Sequence, residues 1–179
     1  MFRTKNRGFS LIEVIVVMAI LIVATTVTIS SVSSAYHARS LKAAETVDGM
    51  IAQSKINAMS GKKNCLIITY STADKCYKCG LHKILKDEYG AYYDSDEAYE
   101  EQDVGNNNLH ILAGGVDLID GAQLRLEYNM DAGRIKSLKV GSETVLSKSS
   151  TDETAVITFN FYTTHSITVY KETGEHVFQ

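Results

Sequence analysis

The chain has 179 residues, 45% of them hydrophobic, with 18 basic and 21 acidic side chains and a formal net charge of −3. That length suits an anchor plus one globular domain, and the residues beyond about 35 suffice for a single core of ordinary size. The mildly acidic balance excludes a broad basic surface for nucleic acid.

The N-terminus carries Arg3, Lys5 and Arg7 with no acidic residue among them, then Gly8 and Phe9-Ser10-Leu11-Ile12-Glu13. An apolar run from Leu11 to Ile29 follows, interrupted by one charge, Glu13. At ~1.5 Å rise per residue the run makes about 28 Å of helix, close to the hydrocarbon thickness of a bilayer. The cations predict a cytoplasmic N-terminus, a single span of the plasma membrane and an exported C-terminal domain. A secretory signal places its small-residue cleavage site after the apolar core; here Gly8 precedes it. Cutting after Gly8 would remove the three cations, leave the apolar helix in place and bring the charge to −6. Glu13 lies four residues beyond Phe9, so the two share a helix face one turn apart. A carboxylate in such a run costs about 2.5–3.5 kcal/mol at the bilayer centre, less near its edge. Burying it calls for a close partner.

Gly8–Glu13 followed by Val14–Leu21 closely resembles the class III leader and N-methylation region of type IV pilins and type II secretion pseudopilins. The resemblance implies that a prepilin peptidase cuts after Gly8 and methylates the new amine of Phe9. It implies that Glu13 neutralises a Phe9 ammonium, its own or a neighbour's. That contact would form as subunits leave the membrane at an inner-membrane assembly platform and stack with other pilin or pseudopilin subunits. Many major pilins carry a helix-kinking proline further along this helix, and this chain has none. Thr25, Thr26, Thr28, Ser30, Ser31, Ser33 and Ser34 stand there instead, and back-bonding hydroxyls bend a helix only mildly. The departure favours a minor subunit over a major one.

Beyond the serines, Leu41, Ala44, Val47, Ile51 and Ala58 recur at helical spacing, with Arg39, Lys42, Glu45, Asp48 and Lys55 mostly on other faces. Gly61 after Ser60 marks a stop. Cys65–Tyr70 reads as a buried strand, Ser71–Lys75 as a turn and Gly80–Leu85 as the hairpin partner. Asp94–Asp103, with six acidic residues and no basic one, reads as a solvated mobile loop; its alternative, a calcium site, lacks EF-hand spacing. Gln123–Tyr128 alternates like a half-solvated strand. Arg134–Val140, Glu143–Leu146, Ala155–Phe161, Ser166–Tyr170 and His176–Phe178 complete the strands, with turns at Asp131-Ala132-Gly133, Gly141-Ser142 and Glu172-Thr173-Gly174. Leu41–Tyr70 and the closing strands resemble the H-type (GspH/FimT-like) minor pseudopilins, which implies two β-sheets packed near the helix.

Three cysteines, Cys65, Cys76 and Cys79, are expected to form one disulfide from Cys65 to either of the others, stapling neighbouring strands by about 2–3 kcal/mol. The alternatives are free thiols or a zinc site completed by His82. The five histidines (His37, His82, His110, His165, His176) fall into no Ser/His/Asp or Cys/His arrangement. Gly114-Gly115 and Gly121 match no phosphate-binding fingerprint. The expectation is therefore an α+β structural subunit, neither an enzyme nor a holder of cofactor or metal. Its parts are a leader over 1–8, a helix over 9–60 whose 9–32 half serves membrane and assembly, and a β-rich domain over 61–179. Its alternative is a competence-type pseudopilin binding DNA through local lysines such as Lys55, Lys62, Lys63 and Lys75.

Overall fold

The computed structural model describes residues 10–106, 108–147, 149–161 and 163–179, without the side chains of 26–34 and 36. The chain divides into two compact units, the second running from His37 to Gln179. One helix, α1 (Leu11–Met59), begins in the first unit and ends in the second. Side chains from Leu11 to Thr25 are exposed, and the Thr25 hydroxyl donates back to the carbonyls of Leu21 and Ile22, both at 2.9 Å. Among the described residues no helix is long and apolar enough to cross a membrane. The stretch whose side chains are described, Leu11–Thr25, amounts to about 22 Å at ~1.5 Å per residue.

In the second unit α1 buries a stripe made of Ser40, Ala43, Ala44, Val47, Met50, Ile51, Ser54 and Ala58. Their three- and four-residue spacing puts them on one face. The expected Leu41 lies at the edge of that stripe, half-buried. Two of its centres are serines, satisfied locally. Ser40 Oγ bonds the His37 carbonyl at 3.1 Å and Thr163 Oγ1 at 2.8 Å, and Ser54 Oγ accepts from Asn64 Nδ2 at 3.2 Å.

Among the described residues eleven strands follow, all antiparallel, in two sheets. The six-stranded sheet comprises β1 (Asn64–Ser71), β2 (Cys76–Lys86), β3 (Tyr92–Val104), β6 (Leu124–Tyr128), β7 (Ile135–Val140) and β8 (Glu143–Ser147), in the order β3-β2-β1-β6-β7-β8. The five-stranded sheet comprises β4 (His110–Ala113), β5 (Val116–Asp117), β9 (Thr154–Phe161), β10 (Thr163–Tyr170) and β11 (His176–Phe178), in the order β11-β10-β9-β4-β5. The α+β class read from the sequence holds: one long helix, then antiparallel sheets. In the larger sheet, register places Leu66, Leu81, Leu126 and Leu138 on one face, and all four are fully buried. The opposite face of the same strands carries Cys65, Ile67, His82, Arg125 and Glu127. In the smaller sheet Ile111, Ile157, Phe159, Ile167 and Val169 are fully buried. The turn before β11 needs Gly174 at φ +59, because a Cβ there would collide with the Gly133 carbonyl oxygen.

The helix end and most strands fall where the pattern put them; three expectations are corrected. Asp94–Asp103 is not a loop but most of β3, an edge strand laddered to β2. Its acidic side chains other than Asp94 are exposed, and charge on an edge strand discourages pairing with other chains. The strand β6 is not half-solvated: Glu127 is 8% exposed, because Arg125 and Lys136 close over its carboxylate on the outer face. Finally, β4 and β5 arise from sequence in which no strand is expected.

Candidate functional site

Gly8 and Phe9 lie outside the described residues. Glu13 stands in the first turn of α1 and its side chain is exposed. Its Oε2 accepts from the Ser10 backbone N–H at 3.1 Å and from Ser10 Oγ at 3.3 Å, while the Glu13 N–H donates to Ser10 Oγ at 3.2 Å. That reciprocal pair is a capping box, which satisfies two N–H groups that a helix start otherwise leaves unpaired. The signal was present as Ser10-x-x-Glu13 and was not used in the sequence reading. Glu13 therefore closes the helix start within its own chain through one carboxylate oxygen. Among the described residues its side chain bonds Ser10 alone.

The cysteines are not brought together. All three are free thiols, and register gives the reason. Cys65 pairs with His82 and Ser71 with Cys76. Cys76 thus sits opposite a point six residues along β1 from Cys65, about 20 Å at ~3.3 Å per residue. Cys79 pairs with Ile68, three residues from Cys65 and hence on the other face of the sheet. Cys76 and Cys79 are likewise three apart on one strand. None of these pairs meets the ~4.4–6.8 Å Cα separation of a disulfide, so the expected staple is corrected. The zinc alternative fails on the same register. Among the described residues no group of three or more His, Cys, Asp or Glu side chains could hold a metal ion, which also leaves the calcium alternative at Asp94–Asp103 without support. Burial pushes the Cys65 thiol up to about 12, against a lowering by Arg125, and pushes Cys79 up as well.

The strongest polar cluster is one the sequence reading missed. Arg125 holds Asp94 with two parallel bonds, Nε to Oδ2 at 2.6 Å and Nη2 to Oδ1 at 2.7 Å, and reaches Glu127 Oε2 through Nη1 at 2.9 Å. The other Glu127 oxygen takes Lys136 Nζ at 2.5 Å. The Arg125 hydrogen bonds hold the Asp94 carboxyl below its ordinary value. Asp94 and Arg125 come from strands separated by β2 and β1, so only the folded register unites them. With every charge matched within the group, this cluster fits a fastening.

The histidines pair in space without forming a triad. His37 Nδ1 and His165 Nε2 lie 3.3 Å apart, His110 Nδ1 meets Asp117 Oδ2 at 2.6 Å, His176 Nε2 faces Asp48 Oδ1 at 3.3 Å, and His82 Nδ1 contacts the Ser95 carbonyl at 2.7 Å. Of the four lysines singled out, the fold keeps only Lys62 and Lys63 together. Lys63 Nζ donates to Tyr92 OH at 3.1 Å and lies 4.5 Å from that ring's centre, with Lys86 Nζ at 5.9 Å. Lys83 lines the same groove. Lys55 instead donates to the Thr173 carbonyl at 3.1 Å, and Lys75 sits in the turn at the far end of β1.

Comparison with known proteins bears first on the N-terminal segment. Residues 3–29 match the family described as the prokaryotic N-terminal methylation motif. No curated protein matches the chain. Two crystal forms of the type IV minor pilin FimU of Pseudomonas aeruginosa are similar in structure at 11% sequence identity and TM-scores of 0.46 and 0.45. They cover 78% of this chain and 91% and 87% of FimU.

Proposed function

We propose that this chain, whose N-terminal segment carries the prokaryotic methylation motif, is a minor pilin-like or pseudopilin subunit of a type IV pilus-like or type II secretion filament, with a structural rather than catalytic task. In this reading a prepilin peptidase removes 1–8 after Gly8 and methylates Phe9. The helix 9–60 anchors the subunit in the plasma membrane through its 9–32 half, and the domain 61–179 is exported. Glu13 then meets a Phe9 ammonium while other subunits and an inner-membrane platform draw the chain into the filament. The observation that carries the reading is the motif over residues 3–29, with Glu13 in the first turn of α1. An exposed carboxylate with one oxygen unengaged favours a nearby ammonium.

The capping box supplies the discriminating experiment. Gly8→Ala should reduce leader cleavage, scored by the size of the chain in membranes. Glu13→Ala should leave cleavage intact and abolish incorporation into sheared filaments. Ser10→Ala removes the cap, worth about 1 kcal/mol, yet keeps the carboxylate, and should incorporate nearly normally. Equal loss in Ser10→Ala and Glu13→Ala would reduce Glu13 to a helix cap and sink the assembly contact.

A second reading, a competence-type subunit whose domain binds DNA, draws on Lys63 and Lys86 at the Tyr92 ring and on Lys62 and Lys83, which line a groove with Lys63. A chain of net charge −3 offers DNA no more than this local patch. Gel retardation at low salt tests it, since electrostatic binding is strongest there.

A further inference from the structure

A cavity of about 260 Å³ opens in the second unit between α1 and the end of β3 with the loop after it. One wall is the i, i+3 pair Arg39 and Lys42 of α1, the other is Asp103, and Ala43, Leu109 and Phe161 line the apolar part. Arg39, Lys42 and Asp103 are exposed, whereas Ala43, Leu109 and Phe161 are at most 4% exposed. Among the described residues neither Arg39 nor Lys42 has an ion-pair partner, and Asp103 Oδ1 meets only the weak Cys76 thiol donor, at 3.8 Å. The volume falls just short of the ~300–1,000 Å³ of pockets that enclose a whole small molecule. It suits a compact polar group whose remainder stays outside.

The covalent chain restricts where that group comes from. Arg39 lies seven positions beyond Val32, the end of the proposed membrane half. A chain of that length spans at most about 25 Å whatever its conformation. The headgroup zone of a bilayer adds roughly 5–8 Å beyond the hydrocarbon on each side. A subunit anchored by 9–32 therefore keeps Arg39 no farther than about 25 Å from the end of its membrane half, which makes the lipid headgroups the nearest compact polar groups that accompany it before assembly. Two cations facing one carboxylate also define the charge pattern. A purely anionic headgroup would satisfy Arg39 and Lys42 and set a like charge against Asp103. A quaternary ammonium headgroup would offer Asp103 no N–H donor. A primary ammonium tethered to a phosphate satisfies both walls.

We propose that this cavity seats the headgroup of a phosphatidylethanolamine molecule of the surrounding membrane, its phosphate on Arg39 and Lys42 and its ammonium on Asp103, while the subunit awaits assembly. The proposal rests on the membrane-anchored reading above. Seating the headgroup draws the domain down onto the bilayer, and extraction into a filament must release it.

The test uses the full chain in lipid nanodiscs made from phosphatidylcholine alone, or with an equal part of phosphatidylethanolamine or phosphatidylglycerol. Lipid retained on the released protein is counted by native mass spectrometry. The expected result is one retained phosphatidylethanolamine on the unaltered chain. Arg39→Gln with Lys42→Gln should lower its occupancy at least about tenfold, the equivalent of ~1.4 kcal/mol. Asp103→Asn should bind phosphatidylglycerol as well as phosphatidylethanolamine. All three substitutions are at the surface, where folding costs are within about 0.5 kcal/mol. Failure of the chain to enter discs would overturn the anchor and this proposal together. Entry with no preference for phosphatidylethanolamine, or a preference that survives the variants, would overturn this proposal alone.

Discussion

Two groups of carboxylates in this molecule are held in opposite ways. Asp94 and Glu127 are three-quarters or more buried at their side chains, and their four oxygens take bonds from Arg125 and Lys136 at 2.5–2.9 Å. Glu13 is exposed, and among the described residues Ser10 alone bonds its side chain, through one oxygen at 3.1 and 3.3 Å. A carboxylate with both oxygens engaged by its own fold has little left for a partner. One engaged on a single oxygen, in the first turn of a helix, does. The difference separates a fastening from a handle, and it can be tested at both ends.

The largest effect is expected at the fastening. Arg125→Met leaves Asp94 and Glu127 without their shared cation, and should lower the unfolding free energy by about 3 kcal/mol, the lower end for an unpaired buried charge. Urea unfolding of the full chain in detergent measures it. Leader cleavage should be unchanged, because the processing motif does not depend on the cluster. A loss under 1 kcal/mol would mean that the cluster is not a fastening.

Asp94 gives a smaller effect with a defined pH dependence. Its folded-state value lies below 3.8 because Arg125 hydrogen-bonds the ionised form. Folding thus favours the ionised form: the stabilisation is fully present above the unfolded value and is lost as pH falls through the folded one. Asp94→Asn should cost about 1.5–3 kcal/mol at pH 7, and the gap between variant and parent should close below pH ~4. A gap that stays constant down to pH 3 would show that Asp94 acts by packing rather than by charge. Glu13→Gln, by contrast, should shift domain unfolding by less than about 0.5 kcal/mol at any pH.

How much of this was legible follows from the range of each interaction. The proposed Glu13 handle is local: glycine, aromatic and carboxylate stand within six residues, so spacing alone brings them together as a motif. The buried strands β1 and β9 announce themselves through runs such as Cys65-Leu66-Ile67-Ile68 and alternation such as Ile157-Thr158-Phe159-Asn160-Phe161. The strand β3 was hidden because Asp and Glu have poor strand propensity. What makes it a strand is its ladder to β2, a tertiary fact. The ion cluster joins residues 31 positions apart, with no periodicity to point from one to the other. The local alternation of Arg125 and Glu127 was its one visible trace.

The cysteines carry the smallest prediction and the sharpest lesson about register. Read as a list, Cys65, Cys76 and Cys79 on an exported domain suggest a staple; placed on the β1–β2 ladder, they are kept apart by strand distance and by opposite faces. In the native chain only Cys76 is partly exposed, while Cys65 and Cys79 are fully buried. The thiolate is the reactive form, and burial pushes Cys65 to about 12, so very little of it is ionised near neutral pH. Iodoacetamide at pH 8 should therefore modify Cys76 first, and the other two only as the protein unfolds. Mass mapping of the unreduced chain reads both the order and the absence of a bridge. Cys76→Ser should then shift stability by no more than about 0.5 kcal/mol, as for any surface substitution, whereas loss of a true staple would cost 2–5 kcal/mol. A loss of that larger size, or a peptide pair linked through sulfur, would require a β1–β2 register different from the one that also places Arg125 over Asp94. The thiol experiment thus tests the frame on which the fastening itself depends.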